Sequence, residues 1–145
     1  MVEEIKIEDM LSKEDKTVWV TYPETDFEVQ LRYIRRPDLT KIFDKSQKTV
    51  WDKKTHLQEK QTDSDAFYRL FIQKAFVTWK GLTIKILAKM VDINVTGDPE
   101  QEIPFSPDNA FTLMRHAYDF DVFIQRTVMD LGQFSVEQLD DEKKT

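Results

Sequence analysis

The stretch that decides the fold is TVWVTYPETDFEVQLRYI, residues 17–34. Apolar and polar residues alternate on both sides of the sequence PETD, residues 23–26. Such alternation is typical of strands with one buried face, and Pro and Asp favour the turn between them. The residues that share the apolar face are Val18, Val20, Tyr22, Phe27, Val29, Leu31 and Tyr33. We therefore predict a β-hairpin over residues 17–34, which must pack on helices or on another chain because an isolated hairpin is marginally stable.

Apolar residues at helical spacing follow the predicted hairpin. Pro37 suits the first turn of a helix. The residues that recur behind it at roughly helical intervals are Leu39, Ile42, Phe43, Val50 and Trp51. The polar residues 52–61 either continue this helix or form a loop. We therefore expect the helical part of the chain to begin at residue 37.

The most strongly patterned helix is predicted over TDSDAFYRLFIQKAFVTW, residues 62–79. Thr62 and Asp65 stand in capping-box spacing at its start. The apolar stripe that follows consists of Phe67, Leu70, Phe71, Ala75, Phe76 and Trp79. Lys80 and Gly81 then provide a cationic end and a helix stop. We expect this helix to form the centre of the core.

The remaining helices are predicted in the second half of the chain. Residues 82–95 fit a short helix with an extended exit. Ser106 is a preferred N-cap residue and Pro107 a favoured first helical residue, so a helix is expected to begin there. The acidic sequence YDFD, residues 118–121, is expected to start the final helix.

These elements predict a mainly α (α+β) fold in which an N-terminal β-hairpin, residues 17–34, is followed by about five helices from residue 37 on. Residues 17–135 are expected to form a single compact domain. A flexible N-terminal segment, residues 1–16, precedes it, and a charged tail, residues 136–145, follows it.

Composition and charge exclude several classes of function. The chain of 145 residues has a net charge of −6, which argues against binding to nucleic acid, since phosphate contacts need clustered Lys and Arg. The absence of cysteine excludes disulfides, thiolate metal sites and a Cys nucleophile. No apolar run approaches the roughly 20 residues of a membrane span, and the first residues do not resemble a secretory signal. We expect a cytoplasmic protein that binds no membrane.

No group of residues has the pattern of a catalytic or metal site. If Asp92 is taken as the first ligand of a calcium loop over residues 92–103, the twelfth position holds Ile103 instead of the bidentate Glu. His56 and His116 have no third ligand at metal spacing, and no nucleophile or Gly-rich phosphate loop accompanies them. We therefore predict no metal, no cofactor and no enzymatic activity.

The segment from Arg32 to Lys60 is basic within an acidic chain. It contains nine basic and four acidic residues and therefore carries +5, which leaves −11 for the rest of the chain. Three of its lysines are expected to line one helix face, and a tryptophan stands late in the same predicted helix. Such a face is either only solvated or a docking surface for an acidic partner, including another copy of the chain. The candidate partner-binding residues are Lys41, Lys45, Lys48 and Trp51.

Two stretches carry a resemblance to a known family: FVTWKGLT, residues 76–83, and EIPFSPDNAFTLMRHAYDFDVFIQRTVMDLGQF, residues 102–134. Their order and spacing resemble the C-terminal half of the tail assembly chaperones of long-tailed bacteriophages. With the hairpin and the helix start in the front half, the resemblance covers roughly residues 17–135. The residues that match the family pattern, all expected to be structural, are Trp79, Gly81, Pro104, Phe105, Ser106 and Asn109.

The resemblance implies a protein that self-associates into homo-oligomers and coats the tape-measure protein before the major tail protein polymerises around it. It also implies action in the cytoplasm of the bacterial host and absence from the mature virion. The alternative is a small cytosolic adaptor or inhibitor that binds one folded protein. Concentration-dependent self-association distinguishes the two, because only the chaperone requires it.

Overall fold

The computed structural model of the chain describes residues 4–134. A single 3-10 turn, Ile7–Met10, precedes the first strand. The strands are β1 Thr17–Thr21, β2 Glu28–Arg32, β3 Gln47–Trp51, β4 Gln58–Thr62 and β5 Phe76–Lys80. The helices are α1 Arg36–Lys45, α2 Ser64–Ala75, α3 Ile84–Met90, α4 Pro107–His116 and α5 Tyr118–Met129.

The main sheet is antiparallel, in the order β1-β2-β5. The predicted hairpin is confirmed, because β1 pairs with β2 and places Val18 opposite Leu31 and Val20 opposite Val29. The predicted apolar face is also the buried one, since Val18, Val29 and Leu31 are in the core. The opposite face carries Trp19, over which the ammonium of Lys80 lies 4.5 Å from the ring centroid.

Within residues 4–134, a second antiparallel sheet consists of β3 and β4 alone. We call residues 47–62, which comprise these two strands and the turn between them, the arm. The arm is inserted between α1 and α2. It pairs with neither of the two strands beside it in sequence, β2 and β5, which belong to the main sheet.

The predicted mainly α fold is wrong. Residues 4–134 form a mixed α+β fold with five strands in two antiparallel sheets, in place of one hairpin followed only by helices. Two of the additional strands form the arm, where the sequence predicted a helix followed by a polar helix or loop. The third is β5, at the end of the most strongly patterned predicted helix.

The helix predicted over residues 62–79 ends four residues early, at Ala75. Its last apolar residues belong to β5, which pairs with β2 so that Phe76 lies opposite Leu31 and Trp79 opposite Val29. The physical reason is tertiary: pairing with β2 provides this segment with backbone hydrogen bonds and keeps Phe76 and Trp79 in the core. Gly81 therefore follows a strand and does not end a helix.

The start of α2 also differs from its prediction. Asp63 is the N-cap residue, and its carboxylate accepts a hydrogen bond from the N–H of Ala66 at 3.2 Å. Thr62, the predicted cap, is the last residue of β4. A residue that ends a strand keeps its backbone in the ladder, so the cap moves to the next polar residue.

The core lies between the main sheet and helices α2, α4 and α5. Its centre is aromatic: the fully buried Phe27 stacks on Phe120 with ring centroids 5.6 Å apart and meets Trp79 edge to face at 5.5 Å. The helices add Phe71, Met114 and other apolar side chains. Most of the aromatic residues of the sequence thus lie in the core or pack against it. A few are exposed instead.

The predicted start of α4 is confirmed. Ser106 is the N-cap residue, its Oγ accepts a hydrogen bond from the N–H of Asn109 at 3.0 Å, and Pro107 is the first helical residue. Asp108 complements the positive end of the helix and forms an ion pair with Arg69 of α2 at 2.5 Å.

Replacing Ser106 by alanine is expected to lower the free energy of unfolding by about 1 kcal/mol, because one helical N–H loses its acceptor. Urea unfolding followed by circular dichroism measures the change. Ser106→Asp, which retains an acceptor at the same position, is the control and is expected to unfold close to the unchanged protein. Equal loss in both variants would show that the hydroxyl contributes by packing and not as a cap.

The N-terminal and C-terminal predictions fall at the edges of the described residues. Residues 4–16 contain the single 3-10 turn and no strand. The charged tail, residues 136–145, lies outside residues 4–134. The division into a domain of residues 17–135 with two flanking segments stays a prediction. Among residues 4–134, no helix has the length and apolar character that crossing a membrane requires.

Candidate interaction surface

The arm is held at its base by the residue between α1 and β3. Ser46 is buried, and its Oγ donates a hydrogen bond to the carbonyl of Phe43 at 2.7 Å. Its own carbonyl accepts from the N–H of Asp63 at 2.7 Å, which ties the two ends of the arm together. Gln47 adds a bond from its Nε2 to Thr62 Oγ1 at 2.9 Å. The exit of α1 and the entry of α2 therefore fix where the arm begins.

Beyond this base, the arm is solvated on both faces. All five residues of β4 are exposed. Near the tip, the side chains of Trp51 and Leu57 are exposed by 55% and 64%. The ring of Trp51 lies 6.2 Å from that of His56, measured between centroids. Large apolar side chains with this exposure on a projecting element are typical of a surface that binds another molecule.

A tight turn closes the tip of the arm. Asp52 pairs with Leu57, whose carbonyl accepts from the Asp52 N–H at 2.9 Å, and Asp52 Oδ1 accepts from the N–H of Lys54 at 2.8 Å. His56 adopts a left-handed backbone with φ of 57°. The turn is thus formed by local hydrogen bonds, and it places Lys53 and Lys54 at the end of the arm.

The arm is basic. It carries four lysines and two acidic residues, a net charge of +2 in a chain of −6. The charged residues are Lys48, Lys53, Lys54, Lys60, Asp52 and Glu59, and all except Asp52 are exposed. A positive projection on a negative molecule steers an acidic partner to one place and orients it there.

The four predicted partner-binding residues do not share a helix face. Lys41 and Lys45 are on α1, which ends at Lys45, whereas Lys48 and Trp51 are on β3. Because side chains alternate along a strand, Lys48 and Trp51 point to opposite faces of the arm. The prediction of one basic helix face is therefore wrong. Trp51 is exposed and ends a strand of the arm, where the sequence placed it late in a helix.

A shallow apolar groove lies where α1 meets α2 and α5. We call it the α1 groove. Its volume is about 300 Å³, and its lining residues are Arg36, Leu39, Thr40, Phe43, Phe67 and Gln125. The four α1 residues stand at i, i+3, i+4 and i+7 and so form one stripe of the helix. Phe43 is 49% exposed, while Ile42, on the core side of α1, is buried.

One hydrogen bond between α2 and α5, and one within α5, hold one wall of the groove. Asp121 accepts from Tyr68 Oη at 2.6 Å and from Gln125 Nε2 at 2.7 Å. Burial, followed by the hydrogen bond to Asp121, raises the pKa of Tyr68 to about 12. Asp121 therefore links Tyr68 of α2 to Gln125, which lines the groove.

The residues of the family pattern meet in a different part of the molecule. Trp79 Nε1 donates to the carbonyl of Ile103 at 3.0 Å, and Phe105 packs edge to face on Trp79 at 5.2 Å. Asn109 Nδ2 donates to the carbonyl of Pro104 at 3.0 Å. These contacts join β5, the start of α4 and the segment before it. They bring Trp79, Pro104, Phe105 and Asn109 together in one cluster outside the arm.

Titratable side chains do not converge on a metal site in the described part of the chain. No three His, Cys, Asp or Glu side chains among residues 4–134 lie close enough to hold an ion together. The end of the loop at residues 92–103 instead runs beside the start of α3, where the Ile84 N–H donates to the carbonyl of Gln101 at 3.0 Å. Ile103 donates to Leu82 at 2.7 Å in the same way.

Comparison of the chain with protein-family models, with curated proteins and with solved structures finds no match. The arm and the α1 groove are therefore identified as candidate surfaces by their exposure, charge and shape alone. Sequence reasoning missed the arm as a strand pair and the groove entirely. The signal for the arm was the sequence TVW, residues 49–51, which favours a strand, followed by an Asp-initiated turn.

Proposed function

We propose that this chain is a non-enzymatic assembly protein that binds its protein partner through the arm. In its most specific form, the proposal is a tail assembly chaperone that self-associates and coats the tape-measure protein in the host cytoplasm, where it recruits the major tail protein. The short sequence pattern of residues 76–83 and 102–134 supports the family. The exposed arm supports the mode of action.

The observation that carries the proposal is the isolation of the arm. A two-stranded hairpin without further cover is marginally stable in water, yet this one has fixed hydrogen bonds at both its base and its tip. It also exposes an anchor residue, Trp51, of the type that dominates binding energy at interfaces. An element with these properties is best explained as one half of an interface.

The arm offers three modes of contact to a partner. In the described part of the chain, each of its two strands has one edge without a paired strand, which presents N–H and C=O groups to an extended segment. Trp51 and Leu57 offer apolar contact near the tip, and the lysines attract acidic side chains. Each contact alone is weak. A row of self-associated copies would multiply them along a long partner, which gives tight but reversible coating.

The proposal is tested by capturing partners from cells that express the whole native gene neighbourhood. The bait is the tagged full chain, compared with a variant in which residues 48–61 are replaced by Asn-Gly. This replacement closes the paired residues Gln47 and Thr62 with a two-residue hairpin turn and leaves the base of the arm intact. Mass spectrometry identifies the partners, and light scattering gives the stoichiometry.

We expect the unchanged chain to capture a very long helical protein in a complex with many copies of the chain, and the variant without the arm to fold but capture none. Arm-dependent capture of one compact partner at equal stoichiometry would overturn the chaperone and favour the adaptor. Capture that is equal with and without the arm would overturn the arm as the binding element.

A further inference from the structure

The N-terminal residues Glu4–Leu11 expose apolar side chains that the core does not use. The exposed fractions are 82% for Ile5, 77% for Ile7, 72% for Met10 and 64% for Leu11. No residue of the turn Ile7–Met10 is buried. We call residues 4–11 the N-segment. It accounts for four of the eleven large hydrophobic residues that are exposed among residues 4–134.

The spacing of these side chains is that of a docking motif. Ile7, Met10 and Leu11 stand at i, i+3 and i+4, the spacing of one face of a helical turn, and the turn Ile7–Met10 holds the first two of them while Leu11 follows it in extended backbone. A turn of this length is not stable in water by itself, because helix nucleation is costly. Short amphipathic turns of this kind bind by laying their apolar side into a groove.

The α1 groove has the complementary shape and chemistry. Its lining combines the apolar side chains of Leu39, Phe43 and Phe67 with one cationic side chain, Arg36. The N-segment carries Glu4, Glu8 and Asp9 against Lys6, a net charge of −2. The opposing segment 35–62, which contains α1 and the arm, carries eight basic and four acidic residues, a net charge of +4. Opposite charge would orient the N-segment in the groove.

The N-segment does not occupy the groove of its own chain. The carbonyl of Glu14 accepts from Arg35 Nη2 at 2.6 Å, and that of Lys16 accepts from the N–H of Tyr33 at 2.8 Å. These bonds fix the chain just after the N-segment, and in this arrangement Ile5, Ile7, Met10 and Leu11 remain exposed.

We infer that the N-segment of one copy docks in the α1 groove of a second copy. The inference rests on the self-association within the proposed function and names the surfaces that carry it. Because segment and groove are different surfaces, each copy has one of each. Repetition of the contact builds a row of copies, and a reciprocal exchange closes a dimer.

Disulfide trapping tests the inference, and the absence of native cysteine makes the trap selective. Single variants Leu11→Cys and Phe43→Cys are purified with different tags, mixed and oxidised. A mixture of Leu11→Cys with Tyr118→Cys is the control, because Tyr118 is exposed and does not line the groove. We expect the first mixture to form the mixed disulfide at least about tenfold faster than the control, owing to the local concentration of docked thiols.

A second measurement uses no cysteine. Sedimentation of Ile7→Ser/Met10→Ser and of Phe43→Ser, all at exposed positions, is compared with that of the unchanged chain. We expect each variant to weaken the self-association constant by about 30-fold, the effect of losing one strong interface anchor.

Four results would overturn the inference. Equal trapping in both mixtures, or an intramolecular disulfide in the Leu11→Cys/Phe43→Cys double variant without trapping between copies, would show that no docking occurs between chains. Self-association that is unchanged in both serine variants would remove the inference while leaving the proposed function in place. An unchanged chain that stays monomeric at all concentrations would remove both.

Discussion

Replacing Gly81 by alanine is expected to lower the free energy of unfolding by about 2–4 kcal/mol. Gly81 has a φ of +80°, a conformation that L side chains rarely adopt. A Cβ atom at this position would also lie 2.5 Å from the carbonyl oxygen of Asp26, which is backbone in the turn before β2 and has little freedom to move. Backbone strain and steric overlap therefore add together. Urea unfolding measures the loss, and the slope of the free energy of unfolding against urea concentration is expected to stay unchanged.

Gly97 provides a matched control for this prediction. Its φ is +82°, almost the same as that of Gly81, but a Cβ atom there meets no atom within 4 Å. Gly97→Ala therefore carries the conformational cost alone, and we expect a loss of about 1 kcal/mol. If the two alanine variants lose equal stability, the close approach of Gly81 to Asp26 is not a constraint on the fold.

The second large effect is expected at Phe27. Phe27 is fully buried and contacts three other rings, those of Tyr22 at 6.4 Å, Trp79 at 5.5 Å and Phe120 at 5.6 Å between centroids. Phe27→Ala leaves a cavity where the sheet meets the helices, and we expect the free energy of unfolding to fall by about 3–5 kcal/mol. Denaturant titration at two wavelengths measures this change and checks that unfolding remains cooperative.

Phe43→Ala is the control for Phe27→Ala. Phe43 is half exposed at the α1 groove, so its truncation removes little buried surface, and we expect a change below about 1 kcal/mol. A loss at Phe43 as large as that at Phe27 would mean that the α1 groove belongs to the core, and it would contradict the assignment of the groove as a free surface.

The sequence predicts the fold best where the spacing of the apolar residues matches the positions that are buried. On both sides of the turn at residues 23–26, the residues of one face are all apolar, so the hairpin and its buried face follow directly from the pattern. The start of α4 is equally predictable, because Ser106 and Pro107 are local signals that need no tertiary partner.

The strands β4 and β5 are not predictable in this way, for two different reasons. The sequence of β4, QEKQT, contains no apolar residue, so it has no alternation to recognise, and only its backbone pairing with β3 makes it a strand. In β5, Phe76 and Trp79 fit the helical stripe of α2 as well as a strand. Pairing with β2 decides between the two, and sequence spacing contains no information on that contact.

The candidate site is predictable only in part. The charge excess of residues 32–60 and the candidate partner-binding residue Trp51 pointed to the region of the arm, and Lys48 and Trp51 lie on it. The shared helix face was wrong because α1 ends at Lys45. The α1 groove could not be predicted from the sequence, because Phe67 and Gln125 line it from helices that follow α1 along the chain.

The most direct test of the arm as the binding element measures the affinity of the purified chain for the partner that the tagged full chain captures. Trp51→Ser is compared with Tyr118→Ser, which removes an exposed aromatic side chain outside the arm. Calorimetry is expected to show about 30-fold weaker binding for Trp51→Ser and unchanged binding for Tyr118→Ser. Equal affinity of both variants and the unchanged chain would contradict a partner-binding role for the arm.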